Sequence, residues 1–303
     1  MSKLSKTLKR KQKEKLKHFA PLKPVVVAVV DAKAVIEPVI TQTSPVIDYQ
    51  ALCERADNLL QVDMTTLKRM ECIEIVKVLE QVANYHQQEN PTVDARVYRQ
   101  RAIELLEYLF SSKAPSVYLS KLYSKQLRQL ALINGKHANA LKTQDSINAL
   151  RYANLAVQAI EKLYAQDEAQ PLWLNTLYGQ QLRFVALTHN QLAQRHKQQQ
   201  DDKLAVQDWA LANQAIEKLL ARFPERLADV AELYNKQLRQ SALAYDRLAD
   251  TAKDQWNEEL TKQYWALGLQ VIKTLRTHFP EQPNWVEKLA AKQAKTYLLG
   301  KNP

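Results

Sequence analysis

From about residue 48 onward the apolar residues recur every three or four positions, the spacing of helices that bury one stripe. Compared with itself, the chain also repeats. The clearest block is LYSKQLRQLALINGKHA (122–138), LYGQQLRFVALTHNQLA (177–193) and LYNKQLRQSALAYDRLA (233–249), at spacings of 55 and 56. A degenerate copy, LAAKQAKTYLLG (289–300), keeps Leu289, Lys292, Gln293 and Lys295 at the next interval of 56, and a weaker first copy begins near Leu67. A second block, AIELL (102–106), AIEKL (159–163), AIEKL (215–219) and VIKTL (271–275), has spacings of 57, 56 and 56.

Pro115, Pro171, Pro224 and Pro280 recur at nearly one phase, just before or at the start of the longer helix, where a missing N–H costs nothing. The unit is therefore an antiparallel helix pair. Roughly ten helices are expected over 48–300, with loops near 88–91, 112–115, 140–145, 167–171, 197–202, 223–225 and 279–283. In the longer helix Tyr234, Leu238, Ala242 and Ala249, like Tyr178, Leu182, Ala186 and Ala193, fall on one stripe. Leu132, Leu187, Leu243 and Leu299 lie off it, so these helices are expected to pack between neighbours on two faces. The fold class predicted is all-α, an α-solenoid of helix pairs repeating every ~56 residues.

These residues resemble a divergent tetratricopeptide repeat. Leu238, Ala242 and Tyr245 have the spacing of that family's large, small and aromatic positions in its first helix. Ala212, Ile216 and Pro224, and equally Gly268, Ile272 and Pro280, match the small, large and terminal-proline positions of its second. The resemblance covers most of 92–300. The family's usual unit is shorter, about 34 residues; about 14 extra fall between Tyr245 and Gly268 and about 8 between Pro224 and Ala242, near whole numbers of helical turns. The resemblance implies a right-handed α-solenoid that binds peptides or protein surfaces, without a transferable carboxylate clamp.

Residues 1–47 differ from the helical-repeat domain, 48–303. Pro21, Pro24, Pro38 and Pro45 interrupt every possible helix, so a flexible or extended linker is expected, whose valines are open to strand addition or to filling a groove. Charge divides the chain in the same way. The formal net charge is +11, and residues 1–23 hold nine basic side chains (Lys3, Lys6, Lys9, Arg10, Lys11, Lys13, Lys15, Lys17, Lys23) against Glu14. The body is close to neutral, so any contact with RNA, another polyanion or an anionic membrane rests on the tail. Val25–Val30 is too short for a signal core or a span, and two cysteines form no framework; a soluble, cytoplasmic protein with no transmembrane segment is expected.

Only four glycines occur, and no nucleophile elbow, phosphate loop, dinucleotide fingerprint, HExxH or paired CxxC is present. No enzyme activity, cofactor or metal is expected. His189 and His196 share a helical face without a neighbouring ligand at metal spacing, and His189 occupies the aromatic position filled by Tyr245 in the next unit. Asp201 and Asp202 read as a helix N-terminal cap.

The partner-binding candidates are the repeated pairs Gln126/Arg128, Gln181/Arg183, Gln237/Arg239 and Gln293/Lys295. One reading is a ladder that presents Arg forks to a partner's carboxylates; the other is arginine stems laid over adjacent helices with local pairing. Tyr123, Tyr178 and Tyr234 are expected in the core with hydroxyls at a polar edge, and the aromatics Trp256, Tyr264, Trp265, Phe279 and Trp285 in a final core, the other reading being an exposed end surface for dimerisation. The function expected is a protein-binding scaffold or adaptor with an electrostatic tail; the alternative is a nucleic-acid- or ribosome-associated protein acting through residues 1–23. Oligomeric state stays open.

Overall fold

The computed structural model describes residues 48–89, 94–112, 114–167 and 169–299, with side chains described to residue 294. The basic tail from Lys3 to Lys17 and the linker expectations lie outside these residues. The described residues form ten α-helices: α1 (Tyr49–Leu59), α2 (Arg69–Gln88), α3 (Ala95–Ser112), α4 (Val117–Leu141), α5 (Ser146–Gln166), α6 (Leu172–Gln198), α7 (Asp202–Arg222), α8 (Leu227–Asp254), α9 (Glu258–His278) and α10 (Asn284–Leu299). No strand occurs among them, and the expected loops fall where the prolines and polar clusters placed them.

The repeat is written into the helix caps. Helices α5, α7 and α9 begin at Asp145, Asp201 and Asn257, 56 residues apart, and each side chain accepts the N–H three residues on. A short polar acceptor at that site satisfies a donor the helix leaves open, worth about 1 kcal/mol. The preceding turns are also shared. Gln200 and Trp256 both take left-handed φ (62° and 58°), and the turns are closed by Asp201 N–H to His196 O and Asn257 N–H to Ala252 O. Glycine is the ordinary residue for such a helix exit. Here a glutamine and a tryptophan hold it, and Trp256 projects from the surface, 93% exposed.

Each long helix packs most extensively against the shorter helix that follows it, giving hairpins α4/α5, α6/α7 and α8/α9, and then against the short helix of the preceding pair. This stacks consecutive pairs into one array. The stripe read from the sequence is its core: Tyr178, Leu182, Ala186, Ala193, Tyr234, Leu238, Ala242 and Ala249 are all buried. A fully buried leucine such as Leu238 contributes about 1.5–3 kcal/mol. The alanines let helices approach closely. At Gly268 of α9 the approach is closer still, because an added Cβ would lie 2.8 Å from Oε1 of Gln293 on α10.

The second apolar face is less complete than expected. Leu132 and Leu243 are half-buried, and Leu187 is 37% exposed. The long helices α4 and α6, and α8 and α10, touch one another directly, whereas successive short helices make no comparable approach. Grooves run between the short helices, floored by the long ones.

Candidate interaction surface

The repeated glutamines are interior. Gln126, Gln181, Gln237 and Gln293 are at most 1% exposed, which corrects the expectation that they present a ladder to a partner. They lie where one long helix meets its neighbours: Nε2 of Gln237 reaches the Ala186 carbonyl of α6, and Oε1 of Gln126 accepts from Arg99 of α3 at 3.0 Å. Arg99 is itself wholly buried and also donates to Asn84 and Gln87 of α2, so one guanidinium ties three helices together. Burial pushes its pKa down to about 10, with Glu80 opposing.

The arginines divide. Arg128 donates to Gln170 at 3.2 Å, and Arg239 donates to Gln282 at 2.9 Å, both at the loop entering a later long helix. The corresponding loop residue in the middle unit is Arg226, and Arg183 is exposed. Local pairing thus accounts for Arg128 and Arg239, with amides rather than carboxylates as partners. The side chain of Lys295 lies outside the described residues.

The tyrosines behave as their stripe required. Tyr123, Tyr178 and Tyr234 are buried, and their hydroxyls donate to Glu107, Glu161 and Glu217 at 2.6, 3.2 and 3.0 Å. Burial, reinforced by each carboxylate, raises all three phenol pKa values. Glu107 and Glu161 also receive Lys162 and Lys218 from the next short helix, at 2.6 and 2.8 Å. These pairs bridge neighbouring short helices and close one end of each groove. At Glu107 burial works to raise the pKa, but the hydrogen bonds from Lys162 and Tyr123 and the lysine charge outweigh it and the net shift is downward. The bridge ends at the third unit, where Thr274 stands in place of the lysine.

The short helices expose apolar side chains in register. Leu155, Leu211 and Leu267, on α5, α7 and α9 at spacings of 56, are 36%, 46% and 41% exposed. Ile147 and Leu204 repeat the pattern about two turns earlier. Leu155 lines the groove between α3 and α5 (about 660 Å³ at its wider end), and Leu211 lines the groove of about 340 Å³ between α5 and α7.

The floors do not repeat. Asn134 and Tyr152 line the first groove and His189 the second, while Tyr245 stands at the corresponding position of the third unit. Nδ1 of His189 lies 2.8 Å from Asp208, whose other oxygen is 3.4 Å from Nε2 of His196. The tertiary fold thus supplies the carboxylate that local spacing did not show, from the next helix. The result is one hydrogen bond, between His189 and Asp208, with His196 at ion-pair distance from the same carboxylate; among the described residues no group of three His, Cys, Asp or Glu side chains is arranged to hold a metal. In the next unit Tyr245 and Tyr264 replace His189 and Asp208, with ring centroids 6.4 Å apart.

Among the remaining candidates, Asp201 caps α7 as expected, while Asp202 forks onto Arg247. Trp265 is buried and Trp285, Phe279 and Tyr264 are partly so, but Trp256 is a surface residue, correcting its assignment to the core. No described helix is long and apolar enough to cross a membrane. No protein-family model matches this chain, and neither does any curated protein. The fold defines the class: an all-helical array of stacked antiparallel helix pairs with grooves between its short helices. The exposed leucines were visible in the sequence as Leu155, Leu211 and Leu267 at one phase of NLAVQ, ALANQ and ALGLQ, yet nothing in a single helix says which of two apolar edges is left uncovered.

Proposed function

We infer that this chain is a binding scaffold whose partner contacts lie in the grooves between short helices, rather than along the repeated Gln/Arg positions. The supporting observation is the register of exposed leucines, Leu155, Leu211 and Leu267, the first two of which line grooves whose floors differ in chemistry. Exposed leucines scattered singly need no explanation, but three at one repeat phase form a row. Stacked helical repeats commonly offer such extended surfaces to polypeptides. The resemblance to tetratricopeptide repeats supports the same class of function.

The test uses the full chain as bait, compared with a variant carrying Leu155→Asp, Leu211→Asp and Leu267→Asp. Quantitative mass spectrometry of the captured proteins is expected to show one set lost from the variant. Identical capture by both chains, with both folded, removes the grooves from the function.

A second reading rests on the nine basic side chains of residues 1–23 against one acid. A segment of that density binds polyanions by releasing counterions, so its contribution weakens steeply with salt. Comparing RNA and DNA binding of the full chain and a chain lacking residues 1–23 across salt concentrations decides it. Binding that survives the truncation, or none by the full chain, eliminates this reading.

A further inference from the structure

The groove between α3 and α5 carries more chemical instruction than the others. Its charged residues nearly cancel: Arg96 pairs with Asp94, and Arg101 with Glu104 at 3.2 Å. Arg151 is left over. It is exposed on α5 at the rim this groove shares with the one between α5 and α7, with no ionic partner among the described residues. A cation beside an apolar trough attracts a carboxylate, and guanidinium holds one in a two-pronged hydrogen bond.

The apolar part is the wall formed by Val97 and Leu155, 49% and 36% exposed on opposite short helices. Beneath them Asn134 of α4 lines the floor at 1% exposure, and its Oδ1 has no hydrogen-bond partner. A buried acceptor left unsatisfied costs about 1–3 kcal/mol. A half-turn of the amide barely changes its shape and would exchange the buried oxygen with the nitrogen of a residue that lines the groove.

These observations select the form of the occupant. A helical segment has already used most of its backbone N–H groups internally and offers none to Asn134. An extended segment presents an N–H every second residue on each edge. From Arg151 to Lys162, where the Glu107 bridge closes the groove, α5 spans about 16 Å, the length of about five extended residues.

We propose that the groove between α3 and α5 binds an extended peptide segment with an acidic side chain beside an apolar one, the acid on Arg151, the apolar side chain between Val97 and Leu155, and a backbone N–H on Asn134. This rests on the scaffold reading and assigns one groove its ligand.

The experiment is selection of a phage-displayed random dodecapeptide library on the full chain, followed by fluorescence anisotropy with the enriched peptides. Enrichment of Asp or Glu within two residues of Leu, Ile, Val or Phe is expected. Arg151→Glu, at an exposed site that leaves the fold intact, should weaken those peptides at least about tenfold. Replacing the backbone N–H next to the apolar residue by N-methyl should weaken binding several-fold without touching the protein. Enriched peptides that lose affinity with Leu211→Asp and not with Leu155→Asp, whatever their response to Arg151→Glu, would keep the scaffold reading and overturn this assignment, as would peptides that ignore Arg151→Glu. Enrichment of basic peptides, peptides that bind as helices by circular dichroism, or no enrichment also overturns it, while the capture comparison still decides the scaffold reading.

Discussion

The seams between units and the grooves between short helices are built from the same repeat and treat it in opposite ways. In the seams the glutamine is kept in four copies and the tyrosine in three: Gln126, Gln181, Gln237 and Gln293 are all interior, and Tyr123, Tyr178 and Tyr234 all reach a glutamate from the previous helix. On the side of the short helices only the exposed leucines repeat, as Leu155, Leu211 and Leu267, while the groove floor passes from Asn134 to His189 and the corresponding position of the next unit is Tyr245. A packed seam tolerates few shapes, because interiors are filled to crystal density. A groove open to water tolerates many. Repetition therefore marks architecture here, and the place where repetition fails marks where individual units acquire their own chemistry.

The largest way to break this contrast is to empty a seam. Tyr234→Ala removes a wholly buried ring and should destabilise the chain by about 4 kcal/mol, read as a lowered urea midpoint. Arg99→Ala should follow at about 3 kcal/mol, since it strands the amides of Asn84, Gln87 and Gln126 that the guanidinium satisfied.

Raising the pH attacks three seams together. Tyr123, Tyr178 and Tyr234 have pKa values raised by burial and by their glutamates. The neutral phenol is favoured in the fold, so this stability is fully present below the unfolded value of about 10 and is lost as the pH climbs through the raised values. Urea midpoints should fall above about pH 10, together with the rise in tyrosinate absorbance, and less steeply in Tyr234→Phe.

Smaller changes sharpen the other side of the comparison. Trp256→Gly relieves a left-handed turn that L side chains resist and should stabilise by about 1 kcal/mol, measured as a raised melting temperature. The smallest effect belongs to the grooves. Leu155→Asp, Leu211→Asp and Leu267→Asp should each change stability by about 0.5 kcal/mol or less, by the same urea titration, while removing apolar contact surface. A large loss there would show that the leucines serve packing.

Much of this architecture was legible because its signals are local. Prolines 115, 171, 224 and 280, the periodic stripe through Tyr234 and Leu238, and the cap at Asp201 each act within a few residues of themselves. The candidate surface was not, because exposure is a property of neighbours. The glutamine and arginine positions repeat as faithfully as the leucines do, yet the glutamines are enclosed and the leucines are open. Likewise Asp208 lies between His189 and His196 only because α7 folds back along α6.

The sequence by itself determined that the described chain is helical, that its unit is a pair of helices about 56 residues long, and which stripe of each long helix is buried. Propensity, capping and periodicity suffice for that, since each helix carries its own pattern. Only the tertiary structure decided that α4 approaches α6 and α8 approaches α10 more closely than successive short helices approach each other, turning one set of repeated side chains inward and leaving the other exposed beside grooves. The reason is geometric: the separation of neighbouring units follows from the volumes of side chains in contact across a seam, and those contacts join residues more than 40 positions apart, as in Gln237 to Ala186 and Arg239 to Gln282.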